Sequence, residues 1–220
     1  MKRLLLFSFI AISAFAFVGF NAACNVVHGS GKIITEKRVL SGFTAIDAGG
    51  AIELEVSQSD SYSVEVEADD NIMPKILTTV ENGTLRISMQ DKDFDFDKNA
   101  TVHVKVSMPQ ISGIELSGAS HGIAKNIKTD KLSLEVSGAS KFMISGTASE
   151  LNSEVSGASK LEAKELLADN ASVECSGASK AHVHANTSLK IDVAGASKVT
   201  YSGSPKVTQA SSGASSIAQE

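Results

Sequence analysis

A tetrapeptide that returns at a nearly constant interval constrains this chain more than any other feature. Ser-Gly-Ala-Ser, or once Ala-Gly-Ala-Ser, recurs every 18 to 20 residues, starting at Ser117, Ser137, Ser156, Ser176, Ala194 and Ser212. This interval is too short for a pair of packed helices and suits one coil of a β-solenoid. Each coil of a solenoid packs only on its neighbours, so the chain needs no large globular core. The repeat therefore predicts an all-β solenoid.

Between the tetrapeptides, apolar and polar residues alternate, which is the period of a strand with one buried face. Helical spacing of three and four is missing from the repeat region. The side chains that we expect to point inward are Leu132, Leu134, Val136, Phe142, Ile144, Val155, Leu161, Ala163, Val173, Cys175, Ala181, Val183, Ile191, Val193, Val199 and Tyr201. The pattern predicts a narrow, mainly aliphatic interior.

The tetrapeptide itself has the composition of a sharp corner. Glycine supplies a backbone conformation with positive φ, alanine is expected to fill a tight space, and the serine hydroxyls can bond to backbone or to the serine of the next coil. Since coils stack about 4.8 Å apart, equivalent side chains should form ladders along the solenoid.

The chain before the regular repeats is predicted to be β as well, but less regular. We expect one solenoid domain over residues 35–220, with irregular first coils over 35–110 and regular coils over 111–220. Asn71 to Leu77 is the one segment with helical character, and Pro74 limits it to one or two turns.

The N-terminus has the pattern of an export signal. Residues 1–23 combine a basic start with an apolar run and small residues before Cys24. Two alternatives are open: Cys24 is lipidated and becomes the mature N-terminus, or ordinary cleavage follows Ala23. A retained transmembrane helix is a third alternative, weakened by the short, Ser- and Gly-containing run. Residues 24–34 are predicted to be a tether.

Charge and cysteine content exclude several classes of partner and scaffold. Without Lys2 and Arg3, 18 basic residues face 25 acidic ones, a net charge of −7, which argues against nucleic acid or an anionic lipid surface as the partner. Only Cys24 and Cys175 are present, so no disulfide framework is expected. Cys175 is predicted to be core packing.

A resemblance becomes specific at the start of the predicted domain. Val39-Leu40-Ser41-Gly42-Phe43-Thr44-Ala45-Ile46-Asp47, then Gly50-Ala51-Ile52-Glu53-Leu54 and the tandem coils, resemble the head GIN domain family of auto-transporter adhesins. The resemblance covers the chain from about Val39 to the last coil. It implies a right-handed single-stranded β-helix on a secreted or surface lipoprotein of a kind common in Bacteroidetes. It implies no catalytic residues.

Two rows of charge should flank the repeated corner. Acidic residues precede each of the first five tetrapeptides by two places, and basic residues directly follow each of these five. Stacked like charges repel, so they must be offset by opposite charges nearby or by a ligand. One alternative is that the rows neutralise each other and block aggregation through strand edges. The other is a linear binding stripe for a polyanion or charged glycan, with Lys141, Lys160, Lys180 and Lys198 as candidate contact residues.

Two groups of residues resemble metal ligands without completing a site. His182 and His184 lie two apart on one predicted strand, but no third ligand is apparent. Asp91 to Asp97 places four carboxylates at alternate positions, yet the EF-hand template fails because Phe96 stands where Gly is needed and Val102 where Glu is needed. An exposed acidic hairpin is the better interpretation, and no metal or cofactor is predicted.

The sequence predicts a protein that is not an enzyme. The nucleophile elbow of hydrolases, phosphate-binding glycine loops and zinc-protease helices are missing from it. Only two arginines, Arg38 and Arg86, follow the predicted signal. We expect a secreted or surface-anchored envelope protein with an adhesin-like binding face. The alternatives are a polysaccharide-processing β-helix enzyme and a structural spacer. Glycan, protein and a second copy are all open as partners, nucleic acid is not expected, and the membrane would be reached only through a lipid anchor.

Overall fold

The predicted all-β solenoid is confirmed. A computed structural model describes residues 25–90, 94–96, 100 and 102–220. Strands make up 69% of it, and they form a β-solenoid of about five turns. Within these described residues no α-helix occurs, and the helical segment expected near Pro74 is a single 3₁₀ turn, Met73–Lys75.

Seventeen strands follow one another in the part of the chain that the structure describes. They are β1 (Asn25–Val27), β2 (Ile33–Arg38), β3 (Ala45–Gly50), β4 (Glu53–Gln58), β5 (Ser63–Asp69), β6 (Ile76–Glu81), β7 (Thr84–Met89), β8 (Phe94–Phe96), β9 (Val102–Met108), β10 (Gly113–Gly118), β11 (His121–Val136), β12 (Lys141–Val155), β13 (Lys160–Cys175), β14 (Lys180–Val193), β15 (Lys198–Ser202), β16 (Lys206–Ser211) and β17 (Ser216–Gln219).

The regular coils stack in parallel register. Each of the long strands β11 to β14 pairs with the next, and β14 pairs with β15 and β16. The long strands bend partway, where the register shifts between one coil and the next. In β11 the bend contains Asn126 at φ 57°, and in β12 it contains Gly146 at φ 138°. This bend is a second corner of each coil, about half a coil along the chain from the tetrapeptide.

The interior is aliphatic, as the alternation predicts. Every inward side chain expected from the sequence is buried except Tyr201, which is only partly covered. The largest of them, Phe142, occupies space that Gly122 leaves free in the preceding coil. A Cβ on Gly122 would lie 2.6 Å from Cδ2 of the Phe142 ring. The bore therefore accepts the Phe142 ring because the facing position of the preceding coil, Gly122, has no side chain.

The tetrapeptide corner keeps the backbone ladder intact while the chain turns. Gly157 has φ +72°, and a Cβ there would lie 2.5 Å from the carbonyl oxygen of Gly138 in the preceding coil. Next to it, the amide of Ala158 donates to that same carbonyl at 2.8 Å. The glycine is thus required both by its conformation and by the close approach of two backbones.

The last serine of the tetrapeptide is buried in every coil except the final one, and its hydroxyl connects coils. Ser140 Oγ accepts a hydrogen bond from the amide of Ser120, and Ser159 Oγ accepts one from the amide of Ser140, both at 3.3 Å. Ser179 Oγ lies 3.2 Å from Ser197 Oγ. The predicted serine ladder is confirmed. The expectation that alanine fills a tight space is wrong, because the alanine is exposed at the crest of the corner in every coil.

The first coils differ from the regular ones because they contain antiparallel pairs. β5 lies between β2 and β9 and is antiparallel to both, and β6 pairs with β7 in a hairpin. Parallel pairs of β3 with β7 and β10, and of β4 with β9 and β11, join this region to the regular coils. The antiparallel strands thereby cover the start of the solenoid.

The segment predicted as a tether lies against this first region. The Gly31 amide donates to Asp69 Oδ1 at 2.8 Å, Ser30 Oγ donates to Asp70 Oδ1 at 2.6 Å, and Asn71 Nδ2 donates to the His28 carbonyl at 2.8 Å. The Ser30 hydrogen bond holds the pKa of Asp70 below its usual value. We call this arrangement, residues 28–32 against residues 69–71, the N-terminal clasp.

Several sequence-based predictions lie outside the described residues. They concern the signal over residues 1–23, the lipidation residue Cys24, and the carboxylates of Asp91, Asp93 and Asp97. Within the described part of the chain, no helix is long and apolar enough to span a membrane.

Candidate functional site

The four candidate lysines form a straight row on the exposed surface. Lys141 pairs in register with Lys160, Lys160 with Lys180, and Lys180 with Lys198, so they occupy one position on four successive coils. His121 extends the row by one coil toward the N-terminus. All four lysines are exposed, because each is the first outward residue after a buried serine. We call these four residues the lysine row.

Most of the lysine row lacks a counter-charge. Lys160 forms an ion pair with Glu162, two residues along its own strand. Lys141, Lys180 and Lys198 form no ion pair with any described residue. Adjacent row positions are about 4.8 Å apart, which is less than the Debye length of about 8 Å at physiological ionic strength. The positive potentials of neighbouring lysines therefore add.

The acidic positions form a second row on the other side of the corner. In register order it contains Asp47, Glu115, Glu135, Glu154, Glu174 and Asp192. Burial raises the pKa of Glu115, and the negative charges of Asp47 and Glu135 raise it further. Arg86 offsets part of this charge, with its Nε 3.7 Å from Asp47 Oδ2.

The two rows are not joined to each other by ion pairs anywhere in the described residues. The exposed Gly-Ala crest of each corner separates them. Since neither row neutralises the other through direct contact, the solenoid presents one basic and one acidic line side by side. This geometry leaves the basic line free to contact a partner.

The two histidines that resemble a metal clip have separate partners. His182 lies between two carboxylates, with Nδ1 3.5 Å from Glu162 and Nε2 3.1 Å from Glu220. His184 Nδ1 lies 3.0 Å from Ser202 Oγ, and its Nε2 lies 2.9 Å from Asn186 Oδ1. Among the residues that the structure describes, no group of three or more His, Cys, Asp or Glu side chains is arranged so that it could hold a metal ion.

Cys175, the cysteine of the described part of the chain, lies inside the core. Cys175 is 2% exposed, and burial raises the pKa of its thiol to about 11. The prediction that it packs in the core is confirmed. A buried thiol with a raised pKa is a poor nucleophile, so Cys175 supports no covalent chemistry.

Two depressions among those on the described surface are not revealed by any sequence motif. The larger, about 880 Å³, follows the second corner and is lined mainly by polar residues, with Leu167 as an exposed apolar floor. The smaller, about 440 Å³, lies beside the lysine row around Met143 and is named the Met143 hollow. Met143 is apolar at an outward position that is occupied by Glu162 and His182 in the next coils. A break in outward polarity is the signal that could have located it.

The fold and the charged surface together define a class of protein. This is a β-solenoid repeat protein with an aliphatic bore, parallel charged rows and a covered N-terminal end. A match to a known protein family identifies the chain more specifically. The chain belongs to the family described as "Putative auto-transporter adhesin, head GIN domain", whose model matches residues 42–205. The resemblance noted in the sequence is confirmed, and membership indicates a surface or extracellular location.

Solved structures with related folds include proteins from Bacteroides and Parabacteroides species. A protein named an adhesin from Bacteroides fragilis is 21% identical with a TM-score of 0.72, the match covering 88% of this chain and 100% of that one. A protein named a lipid binding protein from Parabacteroides distasonis is 19% identical with a TM-score of 0.58, covering 89% and 99%. Another named an adhesin from that species is 22% identical with a TM-score of 0.55, covering 89% and 100%. These similarities show the fold. No curated protein matches the chain.

Proposed function

We propose that this protein is an exported, non-catalytic binding protein of the cell envelope whose lysine row contacts an anionic polysaccharide. The observation that supports it is the stacking of four exposed lysines in register, three of them without an ion pair in the described chain. Extended repetitive faces are the usual binding surfaces of solenoids. The adhesin description of the family agrees with a binding role.

A polymer suits this row better than a small anion does. Its charges can follow the lysines from coil to coil, so that several weak contacts act on one molecule. Each contact is exposed and contributes no more than about 1 kcal/mol. Four together would nevertheless give a salt-sensitive interaction, because the row's potentials add within a Debye length.

Export and anchoring complete the proposal. Residues 1–23 would direct secretion, and Cys24 would carry lipid, which places the attachment point four residues before His28 of the N-terminal clasp. The regular coils would then extend away from the attachment. Ordinary cleavage after Ala23 would instead release the protein.

The central experiment reverses the lysine row. Replacing Lys141, Lys160, Lys180 and Lys198 by Glu should abolish retention on a heparin column, used here as the polyanion probe, at moderate salt. The matched control reverses four exposed lysines on other positions, Lys105, Lys128, Lys190 and Lys206, and so has the same net charge. The control should lose much less retention than the row variant.

Equal retention of parent and row variant, with both folded by circular dichroism, would refute the row as a binding face. The structural-spacer alternative predicts this result. Equal loss in both variants would mean that only net charge matters, which also contradicts the proposal. The enzymatic alternative predicts new reducing ends after incubation with acidic polysaccharides, and these are not expected.

The anchor is tested separately. Cys24→Ser should move the protein from the membrane fraction to the soluble fraction or leave the precursor uncut. Recovery of soluble parent protein that starts at Cys24 with a free thiol would contradict lipidation without affecting the lysine row.

A further inference from the structure

The Met143 hollow lies on a small grid of outward side chains formed by three adjacent coils. The first coil contributes His121, Ile123 and Lys125; the second contributes Lys141, Met143 and Ser145; the third contributes Lys160, Glu162 and Lys164. In register, Ile123 pairs with Met143, and Met143 pairs with Glu162. Two apolar side chains therefore stand together in the middle of a basic surface.

The apolar pair, Ile123 and Met143, does not contribute to packing inside the bore. Met143 is 39% exposed and Ile123 is partly exposed, while their strand neighbours Phe142 and Ile144 fill the bore. Met143 is among the few large apolar side chains that the described residues leave exposed. A methionine side chain is flexible and polarizable, so it adapts to an aliphatic ligand. Covering it with hydrocarbon removes apolar surface from water, which favours binding.

Some of the charged side chains around the apolar pair form ion pairs with described residues, and others do not. Lys164 is paired with Glu220 at 2.5 Å, and Glu162 is held by Lys160 and by His182. Lys125 and Lys141, on opposite sides of the apolar pair, form no ion pair within the described chain. Glu165, also on the rim, is the one carboxylate there without an ion pair to a described residue. The balance leaves free positive charge beside exposed hydrocarbon.

We propose that the Met143 hollow binds the free carboxylate form of a long-chain fatty acid. Lys141 binds the carboxylate, and the alkyl chain lies on Ile123 and Met143 toward Lys125. The volume of about 440 Å³ lies within the range of small-ligand sites. Charge complementarity selects an anion, and the apolar floor selects a hydrocarbon tail. Because the whole chain is acidic, a single carboxylate is favoured over an anionic bilayer.

This site is independent of the polysaccharide proposal. Only Lys141 belongs to both surfaces, and Lys180 and Lys198 do not line the hollow. Loss of fatty-acid binding and loss of polyanion binding can therefore be distinguished by Lys180→Gln, which should weaken only polyanion binding.

The test uses dodecanoate, below its micelle-forming concentration, as the ligand. In protein labelled with ¹³C at the methionine methyl groups, the Met143 resonance should shift saturably, whereas those of the buried Met73 and Met108 should not. Dodecyltrimethylammonium, which has the same chain and the opposite charge, should shift Met143 only at much higher concentration. Absence of a saturable Met143 shift, or equal affinity for the two detergents, would overturn the proposal.

Variants then assign the contacts. Lys141→Gln should weaken dodecanoate binding about threefold to fivefold, Lys125→Gln should weaken it less, and Glu165→Gln should strengthen it about twofold. Lys180→Gln is the matched control, since Lys180 has the same row position two coils further on, and it should have no effect. Equal weakening by Lys141→Gln and Lys180→Gln would show general attraction to the lysine row and would refute a site at the hollow.

Discussion

Alanine at Gly157 should destabilise the solenoid far more than alanine at Gly42. Both glycines have positive φ, +72° and +78°, so both substitutions carry the cost of a left-handed conformation, about 1 to 2 kcal/mol. They differ in space. A Cβ at Gly42 has nothing within 4 Å, whereas a Cβ at Gly157 would lie 2.5 Å from the Gly138 carbonyl oxygen.

The clash at Gly157 must be relieved by moving two coils apart at their corner. This movement would break or lengthen the hydrogen bond from the Ala158 amide to Gly138 and the bond from the Ser140 amide to Ser159 Oγ. Each such bond contributes about 0.5 to 1.5 kcal/mol. The total for Gly157→Ala is therefore about 2 to 5 kcal/mol, against about 1 to 2 kcal/mol for Gly42→Ala.

Urea unfolding followed by far-ultraviolet circular dichroism measures both values. A difference of about 1 to 3 kcal/mol between the variants is expected, and its midpoint of about 2 kcal/mol corresponds to a melting temperature lower by roughly 4 to 8 °C in a domain of this size. Ala158→Val, on the exposed crest next to the glycine, should change the unfolding free energy by less than about 0.5 kcal/mol. Equal unfolding midpoints for Gly157→Ala and Gly42→Ala would show that coil separation absorbs the clash freely and would refute the corner model.

Three further predictions concern the core, the acidic row and the thiol. Gly122→Ala should cost about 1 to 3 kcal/mol, because its Cβ would meet the Phe142 ring, and adding Phe142→Leu should restore part of this; thermal denaturation of the single and double variants checks it. The pKa of Glu115 is raised in the folded state, so ionisation of its carboxyl opposes folding as the pH rises. Glu115→Gln should therefore stabilise the protein at pH 7 and lose that advantage below about pH 4.5, the ordinary glutamate pKa. Thermal denaturation of parent and variant at pH 7 and below pH 4.5 tests this prediction. In a Cys24→Ser background at pH 8, iodoacetamide should modify Cys175 about a hundredfold more slowly than an unfolded thiol, because its pKa is about 11 instead of 9.0; a native rate equal to the unfolded rate would contradict its burial.

The regular coils could be predicted from the sequence because their information is local and repeated. Glycine at each corner, serine three residues after the motif begins and strict alternation between corners fix the same register in every coil. The first coils lack this redundancy. The partners of β5 are β2 and β9, each far away in sequence, and no motif specifies that β5 runs antiparallel to both.

The candidate site was predicted in part for the same reason. Alignment of Lys141 with Lys160 and Lys180 follows directly from the repeat, so the row can be read from the sequence alone. Its ion pairs cannot, because whether Lys160 turns to Glu162 or across the corner depends on side-chain conformation. The exposure of the corner alanine was predicted wrongly, since a small residue fits both a tight interior and an open crest.

The parallel stacking of the coils has a mechanical consequence. A force that pulls the last coil along the solenoid axis loads the hydrogen bonds between two coils one after another, so the coil peels away instead of shearing as a unit. A coil of 18 to 20 residues occupies about 4.8 Å of the axis when folded and roughly 60 to 70 Å when extended. If the N-terminal clasp holds the other end, the protein lengthens in steps of that size under tension and recoils when the tension falls. Single-molecule stretching would show these steps as a regular sawtooth, and one all-or-none rupture would contradict peeling.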